Sequence, residues 1–232
     1  MSRPIPPVTL EPFNPRWLQR TVGADSRMVL EIGAHHGTHT DMLLTAFPQA
    51  AVHAFEPDPR AIEVHRRTIR DRRATLHELA IGAENGKAEF HVSSGLPPEA
   101  NDATRKEYPK GWDQSGSLRA PKNHTERYPW VKFVRTIRVD VRTLDTFAAK
   151  HGIDSIDLIW ADMQGAEGDL AKGGAQTLAR TRFLYCEYSD EELYEGEPSL
   201  AALLDMLPGF DIVKRFPHDV LLRNERLVAA AP

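Results

Sequence analysis

The stretch Val29-Leu30-Glu31-Ile32-Gly33-Ala34-His35-His36-Gly37 constrains this chain more than any other. An apolar run carries an acid near its end, a turn with two glycines follows, and Thr38 to Phe47 then has helical spacing, with Met42, Leu43, Ala46 and Phe47 on one face. A second apolar run, Ala51 to Phe55, ends in Glu56. A strand, a glycine turn, a helix and then a strand ending in a carboxylate about 20 residues on is how an α/β sheet builds a nucleoside pocket. The glycines permit close backbone approach, and the carboxylate accepts hydrogen bonds from ribose hydroxyls.

The alternation continues along the chain. Asp58 is an N-cap with Pro59 at the first helical position, and Ile62 and Ile69 mark the buried side of that helix. Thr75 to Ile81 reads as a strand, Glu84-Asn85-Gly86 as a turn, and Lys87 to Val92 as the second arm of a hairpin. Thr136 to Val141 is a strand, Thr143 caps a helix from Leu144 to Lys150, and Gly152 ends it. Ile156 to Ala161 is nearly continuous in apolar residues, as in the centre of a parallel sheet, and ends in Asp162. A helix over Ala166 to Arg180, a strand Phe183 to Cys186 ending in Glu187, a helix Leu200 to Met206 and a final strand pair, Phe210 to Phe216 and Asp219 to Arg223, complete the pattern. It predicts a doubly wound α/β sheet of about seven strands closed by a terminal hairpin.

The chain of 232 residues suits one domain, expected over 26–232. A proline-rich arm precedes it over 1–25, with a short helix near Trp17-Leu18. A polar stretch at about 93–130 interrupts it, and a loop of that length is usually functional or disordered. A net charge of -4 implies no broad attraction to nucleic acid. The single cysteine, Cys186, forbids an intrachain disulfide and sits in an apolar run, where a small buried strand residue is its expected role. No apolar run approaches the length that spans a bilayer, and the start lacks a signal pattern, so a cytoplasmic protein is expected. A homo-oligomer is compatible with the sequence.

The turn discriminates among cofactors. A dinucleotide site uses G-x-G-x-x-G, whereas this chain has G-x-x-x-G with bulky His35 and His36 between the glycines. A phosphate-binding loop would end in Gly-Lys-Ser/Thr, which is absent. S-adenosyl-L-methionine carries no phosphate. It needs a turn that clears its methionine portion, an acid for the ribose and an apolar slot for adenine. Glu31 with Gly33, Ala34, His36, Gly37 and Thr38 can serve the first, Glu56 and Pro57 the second, and Ala80 and Ile81 the third. A nicotinamide-dependent oxidoreductase on a similar sheet and a non-catalytic cofactor-binding module are the alternatives.

These residues resemble the FkbM-type family of S-adenosylmethionine-dependent methyltransferases. The resemblance rests on Glu31-Ile32-Gly33-Ala34, Phe55-Glu56-Pro57, Thr143-Leu144-Asp145 and the block Ile156-Asp157-Leu158-Ile159-Trp160-Ala161-Asp162-Met163-Gln164-Gly165-Ala166-Glu167, followed by Lys172-Gly173. It runs from about Met28 to Arg223. It implies a Rossmann-like class I methyltransferase sheet with one antiparallel strand, and O-methylation of a sugar or glycosylated metabolite. The His35-His36 pair is bulkier than the residues often found in that turn.

Methyl transfer to a hydroxyl needs alignment and a base near the acceptor oxygen. Asp162, at the end of the central strand, can hold the methionine amino group, orient the acceptor or take its proton. Glu187 ends the neighbouring strand and can converge on the same pocket. Two carboxylates are too few to assign a metal site. His124 is the candidate base in the long loop, where a solvated histidine is the alternative. Ser115, Ser117, Gln164 and Tyr188 are candidates for binding a small-molecule or glycan acceptor. Arg105, Lys106, Arg119, Lys122 and Arg127 make the long loop locally basic, which suits either a solvated loop or an anionic acceptor.

Overall fold

The computed structural model describes residues 5–228, so the ends of the expected arm and domain, 1–4 and 229–232, lie outside the described residues. Among the described residues ten strands form: β1 Met28–Ile32, β2 Ala51–Phe55, β3 Ala74–His77, β4 Ala80–Ile81, β5 Gly86–Ser94, β6 Lys132–Arg142, β7 Ile156–Ala161, β8 Thr181–Glu187, β9 Phe210–Arg215 and β10 Asp219–Asn224. Seven of them make one sheet in the order β3-β2-β1-β7-β8-β10-β9. The pairings from β3 through β8 are parallel, and β10 runs antiparallel to both of its neighbours. The doubly wound sheet with one reversed strand is thus present.

Strand composition explains the layering. In β7, Leu158 and Trp160 join the core on one face, with Val29 and Leu43, while Ile159 and Ala161 join the other, with Leu30 and Ile32. A strand buried on both faces has no place for polar alternation, hence its apolar run. The helix Pro59–Thr68 begins where the sequence places it, with Asp58 accepting from Arg60 N. The helix Leu144–His151 has Thr143 as N-cap and Gly152 as a left-handed C-cap.

Four expectations change. The strand expected over Thr75–Ile81 divides into β3 and β4, which belong to different sheets. The hairpin partner of β5 is β6, not the strand before it, and β4-β6-β5 form a separate three-stranded sheet. Asn85 diverts that turn: its side chain accepts from Thr143 N and donates to Thr146 Oγ1, fastening it to the next helix rather than closing a hairpin. The helix expected over Ala166–Arg180 is broken at Gly174 into Glu167–Gly173 and Ala175–Leu178. The stretch 93–130 contains two short helices, Asp102–Glu107 and His124–Arg127, and is pinned by Lys122 N and His124 N donating to Leu193 O.

The arm is continuous with the domain along much of its length. The helix Pro15–Val22 buries Leu18 and Val22 completely or nearly so. Phe13 packs edge-on against Trp160 and Tyr185, whose own rings stack at 3.9 Å. No helix among the described residues is long and apolar enough to cross a membrane.

Candidate active site

The strand order reverses direction between β1 and β7, and open α/β sheets bind ligands at the carboxyl ends of the strands flanking such a point. A cavity of about 330 Å³ opens there. Gly33 has φ +90, and a Cβ on it would lie 1.9 Å from the backbone oxygen of Asp162. The two strand ends are therefore in direct contact, which only glycine permits. Gly33, Ala34 and Thr38 line the cavity from the turn, with Glu56 and Pro57 at the end of β2 and Ala80 and Ile81 in β4. Glu31 lies beneath it, fully buried, with Thr40 Oγ1 donating to its Oε2 at 2.5 Å. Burial pushes its carboxyl up to about 8, against the hydrogen bond from Thr40. Gly37 caps the helix Thr38–Ala46, and His36 faces Asp113; neither lines the cavity.

These residues fit S-adenosyl-L-methionine. Both oxygens of Glu56 already accept backbone N–H groups, from His35 at 2.9 Å and Asp58 at 2.7 Å, which fixes the side chain where it would meet a ribose diol. Burial raises the Glu56 carboxyl to about 8, against those two hydrogen bonds. Phe55, Ala80, Ile81 and Phe90 give the cavity an apolar wall, the kind of surface an adenine would pack on.

A second cavity, of about 500 Å³, shares Gln114, Gln164 and Glu187 with the first. Gln164 organises the junction. It adopts φ 51, a left-handed conformation rare outside glycine. Its Nε2 donates to Asp162 Oδ1 and Glu187 Oε2, both at 2.8 Å, and its Oε1 accepts from Tyr194 OH at 3.1 Å. Asp162, Gln164 and Glu187 are thereby brought together. Burial, followed by the neighbouring Asp162 and Glu167 charges, raises the Glu187 carboxyl well above the ordinary range. Glu167 takes the structural role open to it, accepting from Met163 N at the start of its helix.

The remaining candidates are more dispersed. Ser115 lines the second cavity, its Oγ accepting from Trp112 Nε1 and its carbonyl from Tyr194 OH. Ser117 lines neither cavity; its Oγ donates to the Gln164 carbonyl and so supports that strained backbone. Tyr188 lines the second cavity, but its OH donates to Phe216 O and accepts from Arg215 Nε. His124 is buried among Tyr128, Phe133 and Tyr194, not solvated, and borders only the second cavity. Burial lowers it to about 4, which leaves a neutral imidazole. Arg119 pairs with Asp169 and Lys122 with Glu192, so part of the loop's positive charge is consumed internally. Burial pushes the Cys186 thiol up, which suppresses its reactivity.

Lining residues that the sequence pattern did not single out include His39, Asp113 and Gln114 on the first cavity and Trp130 on the second. The run Trp112-Asp113-Gln114, an aromatic beside a carboxylate and an amide in the long loop, was the available signal.

The methyltransferase FkbM domain matches residues 31–215. The 2-O-methyltransferase NoeI of Sinorhizobium fredii (strain NBRC 101917 / NGR234) is 46% identical over 205 residues, covering 86% of this chain and 80% of that protein. Among solved structures, cofactor-bound Rv0187 from MTB aligns with a TM-score of 0.49 at 17% identity, covering 95% of this chain and 83% of that one. An rRNA methylase from Streptococcus thermophilus aligns with a TM-score of 0.46 at 13% identity, covering 90% and 93%. The assignment rests on neither of these two. With the family signature on the strand ends that form the cavity, this chain belongs to the methyltransferase FkbM family and is an S-adenosyl-L-methionine-dependent O-methyltransferase.

Proposed function

We propose that the acceptor is a sugar or glycosylated metabolite, bound in the second cavity and methylated on a hydroxyl at its junction with the first. The observation that carries this reading is the junction itself: Glu187, Gln164 and Gln114 belong to both cavities. The walls suit a sugar. Trp112, Tyr128, Trp130 and Tyr194 offer ring faces to the weakly positive C–H groups of a pyranose. Glu187, Asp190, Glu191 and Glu197 offer acceptors to its hydroxyls. Arg127 and Arg215 line the same cavity, Arg215 paired with Asp190, so its charge is mixed. The name of the relative NoeI, 2-O-methyltransferase, supports a hydroxyl at position 2. The buried lone Cys186 fits a reducing compartment such as the cytoplasm.

When bound, S-adenosyl-L-methionine supplies the activated methyl group. The chain's own residues hold the acceptor and manage its proton. Gln164 fixes the two carboxylates in register. Glu187, with its raised affinity for a proton and its place on both cavities, receives the hydroxyl proton. Asp162 lines the cofactor cavity beside it. His124, neutral and packed among rings, shapes the acceptor wall.

The test is methyl transfer from labelled S-adenosyl-L-methionine to a panel of free and glycosidically linked sugars, with RNA and simple phenols in parallel. Label on a sugar hydroxyl in the wild type, lost in Asp162→Ala while that variant keeps its circular dichroism, supports the reading. Label on RNA or phenols with none on sugars would overturn it.

A further inference from the structure

The turn that opens the cofactor cavity carries a second cluster, which the methyl-transfer residues do not use. His35 and His36 are adjacent in sequence, yet their rings stack with centroids 3.7 Å apart and planes 18° from parallel. Adjacent side chains on a strand point to opposite faces, and on a helix they diverge by about 100°. His35 escapes both by adopting φ 46, a left-handed conformation that side chains other than glycine take only at a cost. Both rings then turn Nε2 toward one carboxylate. His35 Nε2 lies 2.6 Å from Asp113 Oδ1, and His36 Nε2 lies 3.1 Å from Asp113 Oδ2. Asp113 comes from the long loop, 78 positions beyond His35. The three groups place their ligand atoms within 4.8 Å of one another.

We propose that His35 Nε2, His36 Nε2 and the Asp113 carboxylate form a binding site for a divalent transition-metal cation of the Zn²⁺ or Co²⁺ type. Two imidazole nitrogens and one carboxylate suit such an ion better than Mg²⁺ or Ca²⁺, which prefer oxygen. Ligands about 2.0–2.2 Å from one Zn²⁺ stand about 3–3.5 Å apart in a tetrahedron; the 3.1 Å spacing matches this, and the 2.6 Å spacing opens by under about 1 Å to admit the ion. The imidazoles bind as neutral rings, with their protons on Nδ1. His35 and Asp113 both line the cofactor cavity. The bound ion therefore fastens the long loop to the cofactor turn at the cavity's edge, and leaves a coordination position for solvent or ligand.

Metal binding can be read without activity, so it stands or falls apart from the acceptor assignment. Protein freed of metal with a chelator is titrated with Co²⁺ by calorimetry and visible absorption, alongside His36→Gln, Asp113→Asn and His151→Gln. The last alters the separate His53, His77 and His151 cluster. The expectation is one Co²⁺ per chain. Affinity should fall about 10- to 100-fold in His36→Gln and Asp113→Asn and stay unchanged in His151→Gln. Independently of any variant, Co²⁺ should broaden the amide resonances of residues 33–37 and 111–115 in the wild type. No binding at millimolar Co²⁺, equal binding in His36→Gln and Asp113→Asn, loss in His151→Gln, or broadening elsewhere alone overturns the site.

Discussion

Replacing Gly33 by alanine tests the reasoning that joins the opening turn to the active site. At φ +90 a side chain costs about 1–2 kcal/mol in backbone strain. Gly152, at φ +63, carries the same kind of strain but has no atom within 4 Å of an added Cβ. At Gly33 the new Cβ meets the Asp162 carbonyl oxygen at 1.9 Å and its carbon at 3.0 Å. Backbone in a central strand cannot swing aside as a flexible side chain can, so overpacking adds about 1–3 kcal/mol. The expected loss is about 2–5 kcal/mol for Gly33→Ala against about 1–2 for Gly152→Ala. In a domain of this size each kcal/mol shifts Tm by about 2–4 °C. Gly33→Ala should thus melt clearly below Gly152→Ala. Relief of the clash also parts the ends of β1 and β7, which carry the cofactor cavity, so S-adenosyl-L-methionine should no longer raise the Tm of Gly33→Ala while still raising that of Gly152→Ala. Thermal shift with and without the methyl donor, and calorimetric titration, measure both effects. Equal melting temperatures with wild-type cofactor affinity in Gly33→Ala would refute the close approach and the cavity drawn from it.

Other substitutions probe the chemistry. Glu187→Gln should lower kcat by about 10²- to 10⁴-fold while leaving the Kd for S-adenosyl-L-methionine within a few-fold, as measured by label transfer and calorimetry. Because burial raises the Glu187 carboxyl, the wild-type rate should climb with pH as that group ionises, and a pH–rate profile of Glu187→Gln should lack that limb. Trp112→Ala should raise the acceptor KM about tenfold, equivalent to about 1.4 kcal/mol, without changing cofactor affinity. Glu31 is raised to about 8 in the folded state from an ordinary 4.5, so the fold prefers its protonated form. That preference is fully present at pH values below 4.5 and is lost as pH rises through about 8. Wild-type Tm should therefore fall more steeply between pH 6 and 9 than that of Glu31→Gln, followed by calorimetry.

Sequence patterning reached the elements whose formation is local. The range of β1, Met28–Ile32, follows from an apolar run bounded by Gly33, and the helix beginning at Pro59 follows from the Asp58 cap. The same reasoning misjudged β3 and β4. A run of residues with strand propensity does not reveal that Glu78 and Leu79 break it and send its halves to different sheets. It also misplaced His124, because a polar setting in sequence says nothing of the rings of Phe133 and Tyr194 that close over it in space. Ser117 looked like a substrate group by its neighbourhood; its hydroxyl instead holds the carbonyl of Gln164, 47 positions away.

By itself the sequence determined the sheet class, the cofactor turn and the acids at three strand ends, Glu56, Asp162 and Glu187. Those properties follow from apolar periodicity, glycine spacing and residue order, all short-range. Only the tertiary structure decided that Gln164 bridges Asp162 and Glu187, that Trp112 and Tyr194 wall a cavity beside them, and that Asp113 meets His35 and His36. The places of Trp112 and Asp113 depend on where the long loop comes to rest. That position is set by many weak long-range contacts, from Ser93 and Leu193 to the Arg119–Asp169 pair, which leave no periodic trace in the chain.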